Sequence, residues 1–207
     1  RVVCSFSRDN LASSDVATRH DGTKCIVHRN IATSPLVAAD FVTHDADGFT
    51  INWTTVDAVA RIVQYISIGG VDLTGVVTGQ FVGATATGNQ TISGLGIDPN
   101  SVLIWEEHFT TAPPGDGTHS SSTFGFATSS TAMGVTSIRE RDGTAVGDSN
   151  RYQRTALCIA TMNNTGTGGR IAEADFVSFG TGAFTVNWTT APAAGRYYFY
   201  VAMAGAQ

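Results

Sequence analysis

The chain has 207 residues, of which 42% are hydrophobic and only 14% are charged. This length and apolar fraction are sufficient for a substantial core, whereas the charged fraction lies below the roughly 25% usual in globular domains. The formal net charge is −5 and Lys and Arg form no cluster, so nucleic acid is not an expected partner. No apolar run has the length of a transmembrane helix, so a membrane is not an expected partner either.

Two features of the chain bear on its processing and redox chemistry. It begins with Arg1, which suggests a processed product or part of a longer chain. Its three cysteines, Cys4, Cys25 and Cys158, include no C-x-x-C pair. We therefore expect buried free thiols rather than a disulfide framework or a zinc site.

Residues 1–71 show patterns of β-strands. The alternation of apolar and polar residues in Phe49–Thr55 predicts a strand with one buried face, and Asp47-Gly48 before it predicts a hairpin turn. The run 61–68 is apolar on both sides, which is typical of a central strand. The strands predicted in this part lie near residues 2–7, 24–29, 36–43, 48–55 and 61–68.

Strand patterns continue after residue 71, and no helix is predicted. The strands predicted up to residue 132 are Val76–Val82, Gln90–Ser93, Ser101–Phe109 and Thr123–Thr128. The segment Thr110–Ser122 is rich in Pro, Gly and Ser and lacks an apolar anchor. We expect it to be an exposed, mobile loop and the first site of proteolysis.

An internal repeat is the clearest pattern in the chain. Phe49–Thr55 recurs as Phe184–Thr190, so that position 53 maps to 188 with an offset of 135. An earlier block recurs with an offset of 133, from Arg8-Asp9 to Arg141-Asp142 and from Cys25 to Cys158. We assign the change of offset to a longer surface loop at 163–169. A constant spacing over a whole block indicates duplication.

The repeat defines the predicted architecture. We predict an all-β fold, an antiparallel β-sandwich of the jelly-roll type, in tandem units of about 135 residues. Residues 1–71, here called the first unit, are a partial sandwich, and residues 72–207, the second unit, form a complete one with roughly nine strands. Trp53 and Trp188 are both expected in the cores of these units.

The first unit lacks the part that corresponds to residues 72–132. Its open sheet edges and exposed apolar face need a cover. The cover would come from a neighbouring protomer, from a preceding segment or from the second unit. Of these we favour the neighbouring protomer, which predicts a homo-oligomer.

Several short stretches resemble a repeat unit of tailed-bacteriophage virion proteins. The resemblance lies in Thr87–Gly96, Pro99, Val102–Trp105 and Gly125–Thr128, together with the duplicated block. It implies a β-sandwich in a capsid decoration, head-fibre or tail-appendage protein, with other virion proteins as partners and the virion as location. It implies no active site.

Titratable residues were considered as catalytic or metal-binding groups. The histidines His20, His28, His44, His108 and His119 show no metal-ligand spacing, and Glu106-Glu107-His108 offers two ligands on one strand face. Asp45, Asp47 and Gly48 resemble the start of a calcium loop but lack its Glu, so a hairpin turn is preferred. We assign no catalytic, cofactor-binding or metal site and expect no cofactor.

Two other functions are retained as alternatives to a non-enzymatic virion protein. A carbohydrate- or receptor-binding module would use exposed aromatic residues, with Trp105, Phe109, Tyr152 and Tyr197 as candidates and a host glycan as a further partner. A glycoside hydrolase would need two carboxyl groups about 5 to 9 Å apart. Its non-Asp candidates are Glu106, Glu107, Glu140 and Glu173.

Overall fold

The computed structural model describes residues 1–8, 11–30, 34–145, 148–163 and 169–205. All regular secondary structure in these residues is β-strand, which confirms the predicted all-β class. None of the described residues belongs to a helix that is long and apolar enough to cross a membrane. Asp9, most of the predicted loop at 163–169, and residues 206 and 207 of the second unit lie outside the described residues.

Sixteen strands are present in the described ranges. They are β1 (Val2–Arg8), β2 (Asp15–Asp21), β3 (Ile26–Arg29), β4 (Pro35–His44), β5 (Phe49–Thr55), β6 (Leu73–Val82), β7 (Gly88–Ser93), β8 (Ser101–Glu106), β9 (Gly115–Gly117), β10 (Ser120–Ala127), β11 (Met133–Glu140), β12 (Ser149–Arg154), β13 (Ile159–Met162), β14 (Arg170–Gly180), β15 (Ala183–Thr190) and β16 (Tyr197–Gly205).

The strands from β6 onward, except β9, form an antiparallel β-sandwich. One sheet has the order β12-β11-β10-β8-β16-β6, and the facing sheet has the order β13-β14-β15-β7. Their alternating inward residues build the main core, in which Ile104, Phe184, Trp188 and Tyr198 are almost fully buried. The predicted sandwich is therefore confirmed for this part of the chain.

The N-terminal strands form two smaller sheets. Their orders are β1-β2-β9 and β3-β4-β5, so β9 from the second unit completes the first of them. In that ladder Thr18 lies opposite Gly117 and His20 lies opposite Gly115. The prediction of an unanchored loop over Thr110–Ser122 is wrong here, because its backbone pairs with a strand that the sequence pattern did not predict.

The two copies of the duplicated block pair in the same way. In β4 and β5, Ala39 lies opposite Trp53, and in β14 and β15, Ala174 lies opposite Trp188. Both ladders shift register at equivalent places, between residues 41 and 43 and between 176 and 178. The ladders of β1 with β2 and of β11 with β12 also match, at the offset of 133. The division of the chain at residue 71 remains a prediction.

The expected free thiols and the expected hairpin turn are present, but the expected burial of the thiols holds only for Cys158. Cys4, Cys25 and Cys158 are free, and only Cys158 is fully buried. The thiols of Cys25 and Cys158 donate to equivalent carbonyls, those of Ala39 and Ala174. In the turn between β4 and β5, the amide of Asp45 donates to the carbonyl of Gly48 at 3.0 Å.

Two predictions about the first unit are wrong. Residues 61–68 form no strand, and Ile62 and Ile66 are 95% and 90% exposed. Trp53 is 44% exposed, whereas its equivalent Trp188 is 1% exposed. The reason is the same in both cases, since the described residues provide no strand that pairs with 61–68 and no second sheet that covers Trp53.

This difference predicts unequal effects of two matched substitutions. Trp188→Ala removes a buried side chain and should lower the free energy of unfolding by about 3–5 kcal/mol. Trp53→Ala removes a half-exposed one and should cost no more than about 1 kcal/mol. Urea unfolding followed by circular dichroism measures both. Equal losses would show that Trp53 is covered in solution.

Candidate functional site

Glu106 and Glu107 lie at the end of β8 and point to opposite sides of their sheet. Glu106 continues the inward series of Val102 and Ile104 and has no exposed surface. Glu107 lies on the outer side, where it accepts hydrogen bonds from the hydroxyls of Ser120 and Ser122. The two carboxyl groups therefore face no common cleft, as a pair in a glycoside hydrolase would.

Glu106 is a buried carboxyl group beside one cation. Burial raises its pKa to about 8, and the nearby charge of Arg196 only partly opposes that shift. Neither carboxyl oxygen has a hydrogen-bond partner of ordinary distance and angle among the residues described, but the backbone of His108 and the hydroxyl of Thr161 lie close enough to oppose part of the rise in its pKa. A neutral carboxyl group is the form that burial in an apolar interior favours. Glu106 has no contact with solvent and so cannot reach a substrate in this conformation.

Glu107 borders an open groove of about 580 Å³ between β1 and the outer face of the six-stranded sheet. Burial raises its pKa to about 7, and the hydroxyls of Ser122 and Ser120 oppose the shift. Cys4 lines the same groove. Burial and the charge of Glu107 raise the pKa of the Cys4 thiol to about 11. Cys4 is therefore not a thiolate nucleophile at neutral pH.

The histidines do not come together. His20 is buried and stacks on Phe109 with ring centroids 3.8 Å apart. His108 follows β8, and burial together with Arg196 lowers its pKa to about 3. His119 accepts a hydrogen bond from the amide of Asp142, while His28 and His44 are exposed. Over the described ranges, no group of three or more His, Cys, Asp or Glu could hold a metal ion.

The candidate aromatic residues for a glycan platform are also not exposed. Phe109 is buried, and Trp105, Tyr152 and Tyr197 are only partly accessible. Tyr152 donates to a carboxylate oxygen of Glu173 at 3.0 Å, and the guanidinium of Arg170 lies 4.5 Å from its ring centroid. The hydroxyl and the ring of Tyr152 are therefore both engaged in contacts within the protein.

A charged cluster joins the two units, and sequence reasoning did not identify it. Asp116 on β9 accepts from Arg29 at 2.6 Å and from Arg19 at 2.9 Å. Arg29 is almost fully buried and also donates to the backbone carbonyl of Thr18. Next to it, Asp21 accepts from Arg19 at 3.2 Å. Asp116 is 97 and 87 residues from its two partners, so local pattern gave no signal.

The largest unusual surface is the open face of the first unit. We use this name for Phe49, Trp53, Tyr65 and the exposed side of residues 61–68. Phe49 and Tyr65 touch edge to face, with ring centroids 4.9 Å apart. A contiguous exposed patch of aromatic and branched side chains is typical of a surface that binds another polypeptide. This surface is therefore the candidate functional site.

Comparisons with models of known protein families, with curated protein sequences and with solved structures found no match. By its fold, the chain is an antiparallel β-sandwich protein with an open apolar face.

The buried titratable groups predict how stability depends on pH. The raised pKa values of Glu106 and Glu107 mean that the unfolded chain loses these protons first. Stability from these groups is therefore lost as pH rises toward 8, by up to about 1.4 kcal/mol per pH unit for each carboxyl. The lowered pKa values of His20, about 4, and His108, about 3, act oppositely, but only below pH 6.5.

Unfolding between pH 6.5 and 8 should thus become easier, and Glu106→Gln should flatten that decline. Urea midpoints at several pH values measure this, with Asp72→Asn at an exposed carboxyl as the control. A wild-type stability that is constant or rises over this interval would contradict the assignment of these carboxyl groups as buried and neutral.

The charged cluster around Asp116 gives a second prediction. Asp116→Asn removes the charge that pairs with two arginines and should cost about 2 kcal/mol, in the range for hydrogen bonds between charged groups. Limited proteolysis at 110–122 should then become faster than in the wild type. Asp98→Asn, on a different loop, is the matched control. Unchanged cleavage would show that this junction does not hold β9 against β2.

Proposed function

We propose that the chain is a non-enzymatic structural protein of a tailed-bacteriophage virion, of the capsid decoration, head-fibre or tail-appendage type. It assembles with copies of itself and with other virion proteins through the open edges of its β-sheets. The observation that supports this most is the open face of the first unit, where Trp53 and Tyr65 are 44% and 70% exposed. An exposed surface of this composition gains free energy when a partner covers it.

Two further observations support an assembly role. The strands β1 and β5 each lie at an edge of their sheets and present unpaired backbone groups. The open face carries exposed apolar side chains, among them Ile62 and Ile66, beside one ion pair between Arg61 and Asp57. Unpaired edges next to apolar side chains are the usual starting point for pairing with another chain. The resemblance of the duplicated block and the glycine-rich turns to phage virion repeats supplies the setting.

The test is to locate the chain in particles. Particles of the phage that encodes the chain should be purified and examined by mass spectrometry for peptides of the chain. They should also be labelled with antibodies against the folded chain and viewed by electron microscopy. Label at the capsid or the tail is the expected result and also distinguishes the subtypes. Peptides found only in the particle-free fraction would overturn the virion assignment.

Carbohydrate or receptor binding is a second candidate, favoured by the exposed indole of Trp53 and by the exposed pair of Phe49 and Tyr65. Aromatic faces of this kind bind the apolar faces of sugar rings. A glycan array with the wild type and with Trp53→Ala tests it. Binding that Trp53→Ala abolishes would support this alternative, and an array without signal would remove it.

A further inference from the structure

Three residues of the open face have counterparts that are buried. At an offset of 135, Phe49, Trp53 and Tyr65 correspond to Phe184, Trp188 and Tyr200. The first three are 38%, 44% and 70% exposed, and their counterparts are 0%, 1% and 7% exposed. Phe49 and Trp53 share the strand register of their counterparts, whereas Tyr65 lies on no strand, and all three lack the cover that their counterparts have.

The cover in the second unit is visible. There β16 lies between β8 and β6, and β7 pairs with the free edge of β15. In the first unit, residues 61–68 correspond to β16 but form no strand, and β5 has no partner at the edge that β7 occupies on β15.

Residues 61–68 make one contact that β16 also makes. The ring of Tyr65 meets that of Phe49 edge to face at 4.9 Å, just as Tyr200 meets Phe184 at 5.4 Å. The interplanar angles, 83° and 76°, also agree. This side-chain contact with the β3-β4-β5 sheet is present without backbone pairing, while residues 61–68 are all exposed and pair with no described strand.

The exposed area is large enough for a stable complex. A compact monomer of 21.6 kDa is expected to expose about 9,200 Å². This chain exposes 10862 Å², which is more by roughly twice the ~800 Å² that one partner buries in a standard interface. Covering the open face and its edges would bring the chain to the surface of a compact protein.

Strand exchange with a second copy of the chain is a poor source of this cover, whereas association of copies through other sheet edges, such as β1, leaves the open face free. Each chain carries one set of strands from β6 to β10, and that set already completes its own second unit. A copy could donate the set only by exposing Trp188 and Tyr200, which are buried by it. Exchange between copies therefore gains nothing, because it uncovers one sandwich for each one that it completes.

We propose that the open face binds a polypeptide segment of the same sequence type as residues 72–93, which pairs with β5 and with one edge of residues 61–68 and orders 61–68 as a strand. The inference rests on the proposed assembly function and specifies its partner. Strand addition at an edge supplies backbone hydrogen bonds, and alternate side chains fill the pockets beneath.

The second unit shows which residues this segment needs. Gly79 lies directly opposite Tyr200, whose ring occupies the space that a side chain would fill. A Cβ atom at Gly83 would lie 2.9 Å from the ring of Trp188. The indole of Trp188 donates to the side-chain oxygen of Gln90 at 2.7 Å. The partner segment accordingly has glycines opposite Tyr65 and Trp53 and an amide oxygen for the Trp53 indole.

The test uses the full chain and a synthetic peptide with the sequence of residues 72–93, which contains no Trp. Peptide binding should slow hydrogen exchange of the amides in 61–68 by about tenfold or more and shift the fluorescence of Trp53 to shorter wavelength. A peptide with Gly79→Val should bind about tenfold more weakly or worse, because its side chain would meet the ring of Tyr65. The Trp53→Phe chain identifies the fluorescence signal.

A variant of the chain provides the matched control. Ile66→Pro leaves the present structure unchanged in urea midpoint, since residue 66 is in no strand, but Pro cannot donate to a ladder and should abolish peptide binding. Three outcomes would overturn the proposal: no protection of 61–68 at saturating peptide, equal binding of the Gly79→Val peptide, or protection without peptide in a chain that sediments as a dimer. The last would assign the face to a second copy. Particle labelling can succeed or fail independently of all three.

Discussion

The constraint on which this structure depends is that a strand needs paired edges. β16 is the centre of the six-stranded sheet because β8 and β6 satisfy its backbone groups on both sides and the facing sheet covers its rings. Residues 61–68 have the same apolar character and make the equivalent ring contact between Tyr65 and Phe49, yet they form no strand. Their backbone remains in water, where it is solvated, because a strand without partners would leave half of its groups unsatisfied. A segment of this composition therefore forms a strand only when neighbouring strands pair with its backbone.

The same constraint explains how the first unit is attached. One edge of β2 pairs with β1 and the other pairs with β9. Across this junction, Asp116 neutralises the charges of Arg19 and Arg29. Gly115 is required there, since a Cβ atom would lie 2.5 Å from the ring nitrogen of His20. The packing of His20 on Phe109 then excludes water from the junction. Pairing, charge and ring stacking act at one place, so the attachment is specific as well as stable.

Local sequence patterns predicted the elements whose partners lie nearby in the chain. Alternation identified β5 and β15, and Asp47-Gly48 identified the turn before β5, because hairpin partners are adjacent. Patterns could not predict β2, whose sequence carries Arg19, His20 and Asp21 and reads as a polar surface until Asp116 is placed beside it. They also predicted a strand at 61–68 and a buried Trp53, and both predictions are wrong. The repeat reproduces the residue types of the second unit, but the first unit has no described strands that would pair with 61–68 or cover Trp53. Of the candidate site, the aromatic residues were visible in the sequence, but their exposure was not.

The two units therefore serve as an internal comparison. The pairs β4-β5 and β14-β15 share register and bulges, so the greater exposure of Phe49 and Trp53 than of Phe184 and Trp188 reflects the strands that cover the second pair. Burial of apolar area contributes about 25 cal/mol per Å², so a cover of several hundred Å² is worth many kcal/mol before the entropy of ordering is subtracted. The contact between Phe49 and Tyr65 already restrains the segment at one point, which lowers that entropy. An incomplete sandwich of this kind gains free energy when further strands complete it.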